Sequence, residues 1–266
     1  MITCDVLGKC DNNNGLGNQM FCIAAALGVA HKLNTEAFFP DLNLQHYKFY
    51  RDTIFHKLTP YGKEEKIINS YKEQPYTSTK FNQIPLQDDM KISGFFQSHK
   101  YFNFCRDEIL NSFQVPDSLQ EKILNKYGIY LNSNVVSIHV RRTDYLKFSG
   151  HYETLDISYY QKALDNFSDA EIVFIFSDDI KWCKENLPSF GKLSVYIEEQ
   201  SDVEDLWLMT KMKGNIIANS TFSWWGAYLN RSDSLVVAPS IWFGPKRTND
   251  NGLETKDLYP ENWKVI

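Results

Sequence analysis

The residues best suited to chemistry gather where short apolar runs end. Val135-Val136-Ser137-Ile138-His139-Val140 reads as a buried strand, and it stops abruptly at Arg141, Arg142, Thr143 and Asp144. In strand alternation Val136, Ile138 and Val140 share one face, while Ser137, His139 and Arg141 share the other. His139 and Arg141 therefore point the same way, and an anionic group is expected opposite them. A guanidinium can grip two phosphate oxygens at once and stays charged at any relevant pH, which makes Arg141 the favoured anion binder. The competing role is a salt bridge from Arg141 to Asp144, and Arg142 is expected to serve structure.

Two further apolar runs end in polar residues. Phe176 is followed by Ser177-Asp178-Asp179, and the run ending at Ala218 by Asn219-Ser220-Thr221-Phe222-Ser223. The latter brings hydroxyls and unspent N–H groups to a helix start, a natural seat for a diphosphate without any metal, with simple helix capping as the alternative. Asp178-Asp179 has the form of a divalent-metal pair. Metal ligands usually come with further convergent carboxylates, however, and an N-cap role for Asp179 explains the spacing. Trp224, Trp225, Tyr228 and Leu229 are expected to pack the helix into the core. Near the N-terminus, Gly15-Leu16-Gly17-Asn18-Gln19 sets two glycines and two amides where a helix begins, so its N–H groups could also face a phosphate. It is neither a G-x-G-x-x-G fingerprint nor a Walker loop.

The elements that must position these groups are clearest in the second half. Apolar runs near 134–140, 171–176, 193–197, 215–218 and 235–238 alternate with helical segments, which means βαβ units on a parallel sheet. Ligands of such sheets sit beyond the carboxyl ends of the strands, near a switch in strand order. Ser158 to Gln161 and Ser201 to Glu204 have capping-box spacing, and Gly214 stands where a helix C-terminal glycine would. In the first half, Ile2–Val6 predicts a strand, residues 8–18 a loop, Gln19–Leu33 a helix, Thr35–Phe39 a strand, Ile92–Gln97 a strand and Ser98–Phe113 a helix. A further helix runs from Pro116 and Asp117 to near Tyr127, and residues 42–89 carry no assignable period. The boundary between halves falls near residue 130, giving domains 1–130 and 131–266.

Composition excludes several classes. With a net charge of -5 the chain lacks the basic stripes of a nucleic-acid or anionic-membrane binder, so no nucleic-acid partner is expected. The 5 cysteines are scattered and lack a C-x-x-C pair, so they read as reduced thiols of a cytoplasmic protein rather than a disulfide framework or zinc site. Neither a signal-peptide core nor a run of about 18 apolar residues is present, so no transmembrane segment is expected. Aromatic residues make up 15% of the chain, enough to fill cores and still line a carbohydrate or nucleobase site.

Five motifs in order carry a resemblance: Gly15-Leu16-Gly17-Asn18-Gln19-Met20, Gly94-Phe95-Phe96-Gln97-Ser98, His139 to Tyr145, Phe176 to Asp179, and Asn219 to Gly226, followed by Trp242 and Tyr259-Pro260-Glu261-Asn262-Trp263. Together they resemble the bacterial alpha-1,2-fucosyltransferases of glycosyltransferase family eleven. The resemblance implies an α/β, GT-B-like architecture of two Rossmann-like halves, an N-terminal acceptor-side domain and a C-terminal domain whose parallel sheet binds GDP-fucose. It implies inversion without an obligatory metal or other cofactor: GDP-beta-L-fucose becomes an alpha-L-fucoside on the 2-hydroxyl of a beta-galactoside. The diphosphate falls to Arg141, with Ser223 and the N–H groups around Thr221 and Phe222. Gly17, Asn18, Gln19, Arg142, Asp178, Asn219 and Ser220 join the donor-binding set, and His139 and Asp205 are assigned to the guanosine end.

For the base that takes the acceptor proton, Asp144, His151, Glu153 and Asp178 are candidates, and Glu153 is the first choice. The glutamate used by related fucosyltransferases has no counterpart here, because Phe148 and Ser149 occupy that place. Thr143 also departs from the glycine of many bacterial members. The rivals are a GDP-fucose transferase of another linkage, such as alpha-1,6, and a catalytically silent nucleotide-sugar or glycan binder on the same scaffold. A cytoplasmic location is expected, with peripheral association at the inner membrane face allowed.

Overall fold

The computed structural model describes residues 1–4, 15–62, 66–74, 79–232, 234–247 and 255–266. The chain divides into one unit of Met1–Pro116 with Leu253–Pro260, and a second of Asp117–Gly252 with Glu261–Ile266.

In the first unit, β1 (Ile2–Cys4), β2 (Asn69–Lys72) and β3 (Met90–Ser93) form a parallel sheet in the order β1-β3-β2. The helix α1 (Leu16–Leu33) is buried along most of its length because its middle is nearly all alanine and larger apolar residues. It starts at Leu16 behind Gly15, and it ends where Asn34 takes a left-handed conformation and donates to Ala30 and His31 carbonyls. The expected strand Thr35–Phe39 is reduced to one bridge, Ala37 to Ile2. The expected strand Ile92–Gln97 stops at Ser93, since Phe96 turns to a φ of 47°. The expected helix Ser98–Phe113 is broken: two short 3-10 turns, His99–Tyr101 and Asn103–Cys105, precede α3 (Arg106–Ser112), with Phe102 between the turns at φ -148° and ψ -4°, off the helical conformation. Within the unassigned stretch lie α2 (Lys48–Asp52) and β2.

The second unit opens with α4 (Asp117–Tyr127), earlier than the expected boundary near residue 130. Its Lys122 pairs with Glu204 at 2.6 Å, and Tyr127 meets Phe174 edge-on, so α4 is bound to the second sheet's layer. That sheet is parallel, in the order β6-β5-β4-β7-β8-β9, built from β4 (Val135–Val140), β5 (Ile172–Ser177), β6 (Leu193–Tyr196), β7 (Gly214–Ile216), β8 (Leu235–Ala238) and β9 (Lys264–Val265). Counted from β4, this is the doubly wound order 3-2-1-4-5-6, with its reversal between β4 and β7. The helices between the strands are α5 (Thr143–Lys147), α6 (Ile157–Leu164), α7 (Ile180–Asn186), α8 (Asp202–Met209) and α9 (Thr221–Tyr228). Val136, Ile138 and Val140 enter one core layer with Val173, Ile175 and Ile216, as the alternation predicts.

Ser201 and Glu204 form the expected capping box on α8. The other expected box is displaced: α6 begins at Ile157, and Asp156 caps it by accepting from the Tyr159 amide. Gly214 ends no helix. It starts β7, and a Cβ there would lie 2.2 Å from the Phe167 ring, so close packing is what requires glycine.

Candidate active site

The carboxyl ends of β4, β5 and β7 bring three polar segments together. Asp178, one residue beyond β5, organises the first of them. Its carboxylate accepts from the Arg142 amide at 2.9 Å, the Thr143 amide at 3.1 Å and the Thr143 hydroxyl at 2.5 Å, and Arg141 Nε lies 3.4 Å away. The turn after β4 is therefore clamped by the turn after β5. The hydroxyl of Thr143, the residue that departs from glycine, is part of this clamp. Asp179 caps α7 by accepting from the Trp182 amide and faces Arg142 Nε at 3.6 Å. Arg142 Cζ lies over the Trp182 ring, 3.6 Å from its centre, and so has a structural setting. Each of the two carboxylates thus faces a guanidinium.

Arg141 keeps about a third of its side chain exposed and donates to Asp144 Oδ2 at 2.8 Å. The expected salt bridge thus forms on the side chain from which an anion grip is expected. Burial opposes its charge, but Asp144 and Asp178 outweigh that and raise the guanidinium's pKa. Its ring neighbour Tyr145, 5.6 Å away, stacks on Tyr152 and donates its hydroxyl to the Asn219 carbonyl at 2.7 Å. That bond ties α5 to the turn beyond β7.

In the β7 turn the residues divide by role. Asn219 is buried, and its amide donates to the Glu153 and Trp242 carbonyls at 2.9 and 3.0 Å. Its amide nitrogen therefore braces the turn, and it holds the Glu153 backbone beside it. The Ser223 side chain is likewise buried, with its hydroxyl turned to the Ala218 and Ser220 carbonyls. Ser220 stands at the N-cap of α9 but makes no side-chain capping bond, so simple capping does not account for it. Thr221 and Phe222 are the partly exposed residues of this helix start. Trp224 and Trp225 are fully buried.

His139 stands behind Arg141 on the same face of β4, its ring 5.4 Å from that of Phe222. Burial, aided by the Arg141 charge, pushes its pKa down to about 3, so the imidazole is neutral; Nδ1 has no hydrogen-bond partner among the described residues. Asp205 lies on α8, which packs on α9, and shares no hydrogen bond with the β4 turn among the described residues. Its Oδ1 is buried without a hydrogen-bond partner among the described residues, and burial with the nearby Asp202 and Glu204 charges raises its pKa to about 7.

Gly17, Asn18 and Gln19 occupy the first turn of α1 in the first unit, where Asn18 Oδ1 accepts from Gln97 Nε2 at 3.0 Å. Residues 5–14, most of the expected loop before them, lie outside the described residues. One residue the sequence reading passed over is Glu73, a fully buried carboxylate just after β2. It sits between Lys72 and Gln74, where pattern alone reads as solvated surface. Among the described residues one trio, His31, Cys105 and Glu108, has metal-ligating atoms in reach of one another. His31 and Glu108 are bonded to each other at 2.8 Å and the Cys105 thiol donates to the Phe102 carbonyl, so the trio is accounted for as packing.

Residues 7–266 match the family model described as glycosyl transferase family 11. The O-antigen biosynthesis glycosyltransferase WbnK of Escherichia coli is 31% identical, covering 87% of this chain and 93% of the relative. An alpha-1,2-colitosyltransferase of the same species is 28% identical over 95% and 96%, and the bovine galactoside alpha-(1,2)-fucosyltransferase 1 is 27% identical over 86% and 68%. Solved folds agree at low identity. Fucosyltransferase NodZ from Bradyrhizobium is 9% identical, with a TM-score of 0.53 over 80% of this chain and 89% of its own. POFUT1 in complex with GDP-fucose is 14% identical, with a TM-score of 0.52 over 88% and 95%. The fold is thus α/β and GT-B-like.

Proposed function

The chain belongs to glycosyl transferase family 11, and we propose that it moves L-fucose from GDP-beta-L-fucose to the 2-hydroxyl of a terminal beta-galactoside, inverting the anomeric carbon to give an alpha-1,2-fucoside. The observation that carries this reading is Arg141, a partly exposed guanidinium held by two carboxylates where the strand order reverses between β4 and β7. Nucleotide phosphates bind at such a switch point.

Departure of GDP builds negative charge on the beta-phosphate while the sugar becomes oxocarbenium-like. A guanidinium already fixed beside that phosphate stabilises the transition state more than the ground state. Arg141 takes this role, exchanging its Asp144 contact for phosphate oxygens, and the start of α9 at Thr221 and Phe222 offers further N–H groups. Asp205 accepts from the guanine N–H edge, and binding there favours its ionised form. His139, neutral, stands behind Arg141 at the guanosine end. Glu153, whose backbone is tied to Asn219, is the proposed base for the acceptor hydroxyl. The protein's own cations carry the charge, and no metal is required.

The relative named for colitose transfer favours a second reading in which the donor sugar lacks the 3-hydroxyl of fucose. Incubation with GDP-fucose or GDP-colitose and a panel of beta-galactosides, with and without chelator, decides both points. Linkage analysis should return an alpha-1,2-fucoside in either condition. Exclusive use of GDP-colitose, an alpha-1,6 product, or no donor-dependent GDP release would overturn the reading, and loss of activity in chelator would overturn its metal-free part. No described helix is long and apolar enough to cross a membrane. We further propose a cytoplasmic location, from which fractionation should recover the protein, with peripheral binding at the inner membrane face allowed.

A further inference from the structure

We propose that Glu73 is a positioning residue for this reaction, holding the turn Gly94–Gln97 in the one shape that bonds it to the first turns of α1. The inference rests on the transferase reading above for its kinetic consequence. Its structural part stands without it.

Glu73 extends β2 by one residue, its amide donating to the Ser93 carbonyl at 2.8 Å, so its side chain lies beside the turn that follows β3. There Oε2 accepts from the Phe95 amide at 2.8 Å and the Phe96 amide at 3.1 Å, and Oε1 accepts from the Tyr101 hydroxyl at 3.4 Å. Those two amides are consecutive, and the second belongs to a residue with positive φ, a conformation a bulky aromatic residue rarely adopts. A single carboxylate oxygen thus holds the turn in a shape its sequence disfavours. Space is matched as tightly: a Cβ on Gly94 would lie 2.5 Å from Glu73 Cβ and 2.7 Å from Oε2.

The turn in turn bonds to α1. Gln97 Nε2 donates to Asn18 Oδ1 at 3.0 Å, and the Cys22 thiol donates to the Gly94 carbonyl at 3.1 Å. Asn18 is among the residues that the family resemblance implies for the donor. Among the described residues the titratable groups that act on the carboxyl are the phenols of Tyr71 and Tyr101, with no cation among them, so no ion pair there accounts for it. Burial pushes its pKa up to about 7 against the bonds from Phe96, Phe95 and Tyr101. A buried carboxyl without a counter-charge is costly unless its hydrogen bonds are needed.

The test uses the full chain labelled with 15N-phenylalanine, and the variants Glu73→Gln, Glu73→Ala and Gly94→Ala. The Phe95 and Phe96 amide signals should titrate near neutral pH in the wild type and stay fixed in Glu73→Gln. With whichever donor supports turnover, Glu73→Ala and Gly94→Ala should lower kcat/KM roughly 10²-fold, the scale of a displacement of about 1 Å at a reacting group. Glu73→Gln should restore most of it, since its amide oxygen can accept both N–H groups. In a Gln97→Ala background Glu73→Ala should add little, because the pair acts as one unit. Amides that do not titrate, a folded Glu73→Ala or Gly94→Ala with wild-type kcat/KM, or a folded but inactive Glu73→Gln would each overturn the proposal. If Glu73→Ala does not fold, rescue by Glu73→Gln together with its lost titration decides. An absence of fucosyl transfer by the wild type would sink the functional reading, while the amide titration still judges the positioning one.

Discussion

Replacing Arg141 with alanine tests the proposed chemistry most directly. The wild-type turn holds two guanidiniums, Arg141 and Arg142, among Asp144, Asp178 and Asp179. Arg142 lies against Trp182, so Arg141 is the cation left to meet a diphosphate. Its removal deletes one donor to the departing phosphate, which by itself lowers kcat roughly 10²- to 10³-fold, about 3 to 4 kcal/mol. The same change leaves Asp144 and Asp178 facing the donor uncompensated, so KM for GDP-fucose should also rise. Restoring the wild-type net charge of the turn with Asp144→Asn in the alanine background should recover the KM component but not kcat, which separates repulsion from lost transition-state contact. Arg141→Lys should remain poor, because an ammonium cannot reproduce the two-pronged grip. Stability should change little, as a partly exposed pair contributes on the order of 0.2 to 1 kcal/mol. Steady-state GDP release at varied donor concentration, with thermal melting as the control, reads all of this. Near wild-type kcat in a folded Arg141→Ala protein would refute the assignment.

Three further outcomes follow from the surrounding packing. Thr143→Gly removes one hydroxyl bond to Asp178 and should cost about 1 kcal/mol of stability with activity retained, whereas Asp178→Ala also strands two amides and should lower kcat sharply; equal kinetics in the two variants would show that the clamp is not what holds Arg141. Gly214→Ala forces a methyl into the Phe167 ring and should destabilise by roughly 1 to 3 kcal/mol in urea unfolding, with kinetics unchanged in the folded protein. Glu73 and Asp205 both have folded pKa values raised to about 7, so the stability they contribute is full below their unfolded values and is lost as pH rises through 7. For the fully buried Glu73 the loss is about 3 kcal/mol at most, and Glu73→Gln and Asp205→Asn should each flatten the fall between roughly pH 4 and 7; an unchanged slope in both would contradict their burial as charged groups.

The centre of the second sheet was legible because β4, β5 and β7 are buried on both faces and its helices carry ordinary stop and start residues, so periodicity and capping agree, whereas the two-residue, exposed β9 left no period to read. The order 3-2-1-4-5-6 was not legible, because strand neighbours are set by long crossovers that leave no local mark. It nevertheless turns the separate motifs at Arg141, Asp178 and Asn219 into neighbours. The first unit was read poorly for a different reason. Its strands have three or four residues, too few to show a period, and its helical stretch after Ser98 is broken at Phe102 by backbone geometry that composition does not announce. Glu73 was missed on the same ground, since a charged residue between Lys72 and Gln74 carries no sign that it is buried.

On the proposed reading, the hydrogen bonds account for a motif around Arg141 that holds more residues than the donor would touch. An arginine on a free loop would lose much of its binding energy to ordering its own side chain and backbone. Here Asp178 fixes the backbone of Arg142 and Thr143, Asp144 fixes the guanidinium, and the Tyr145 hydroxyl fixes the helix that follows to the β7 turn. The cost of placing the cation is met on folding, before any substrate arrives. On the proposed reading, substituting the surrounding residues should therefore act chiefly through where Arg141 sits, with Arg142, pressed on Trp182, as part of the framework that holds it.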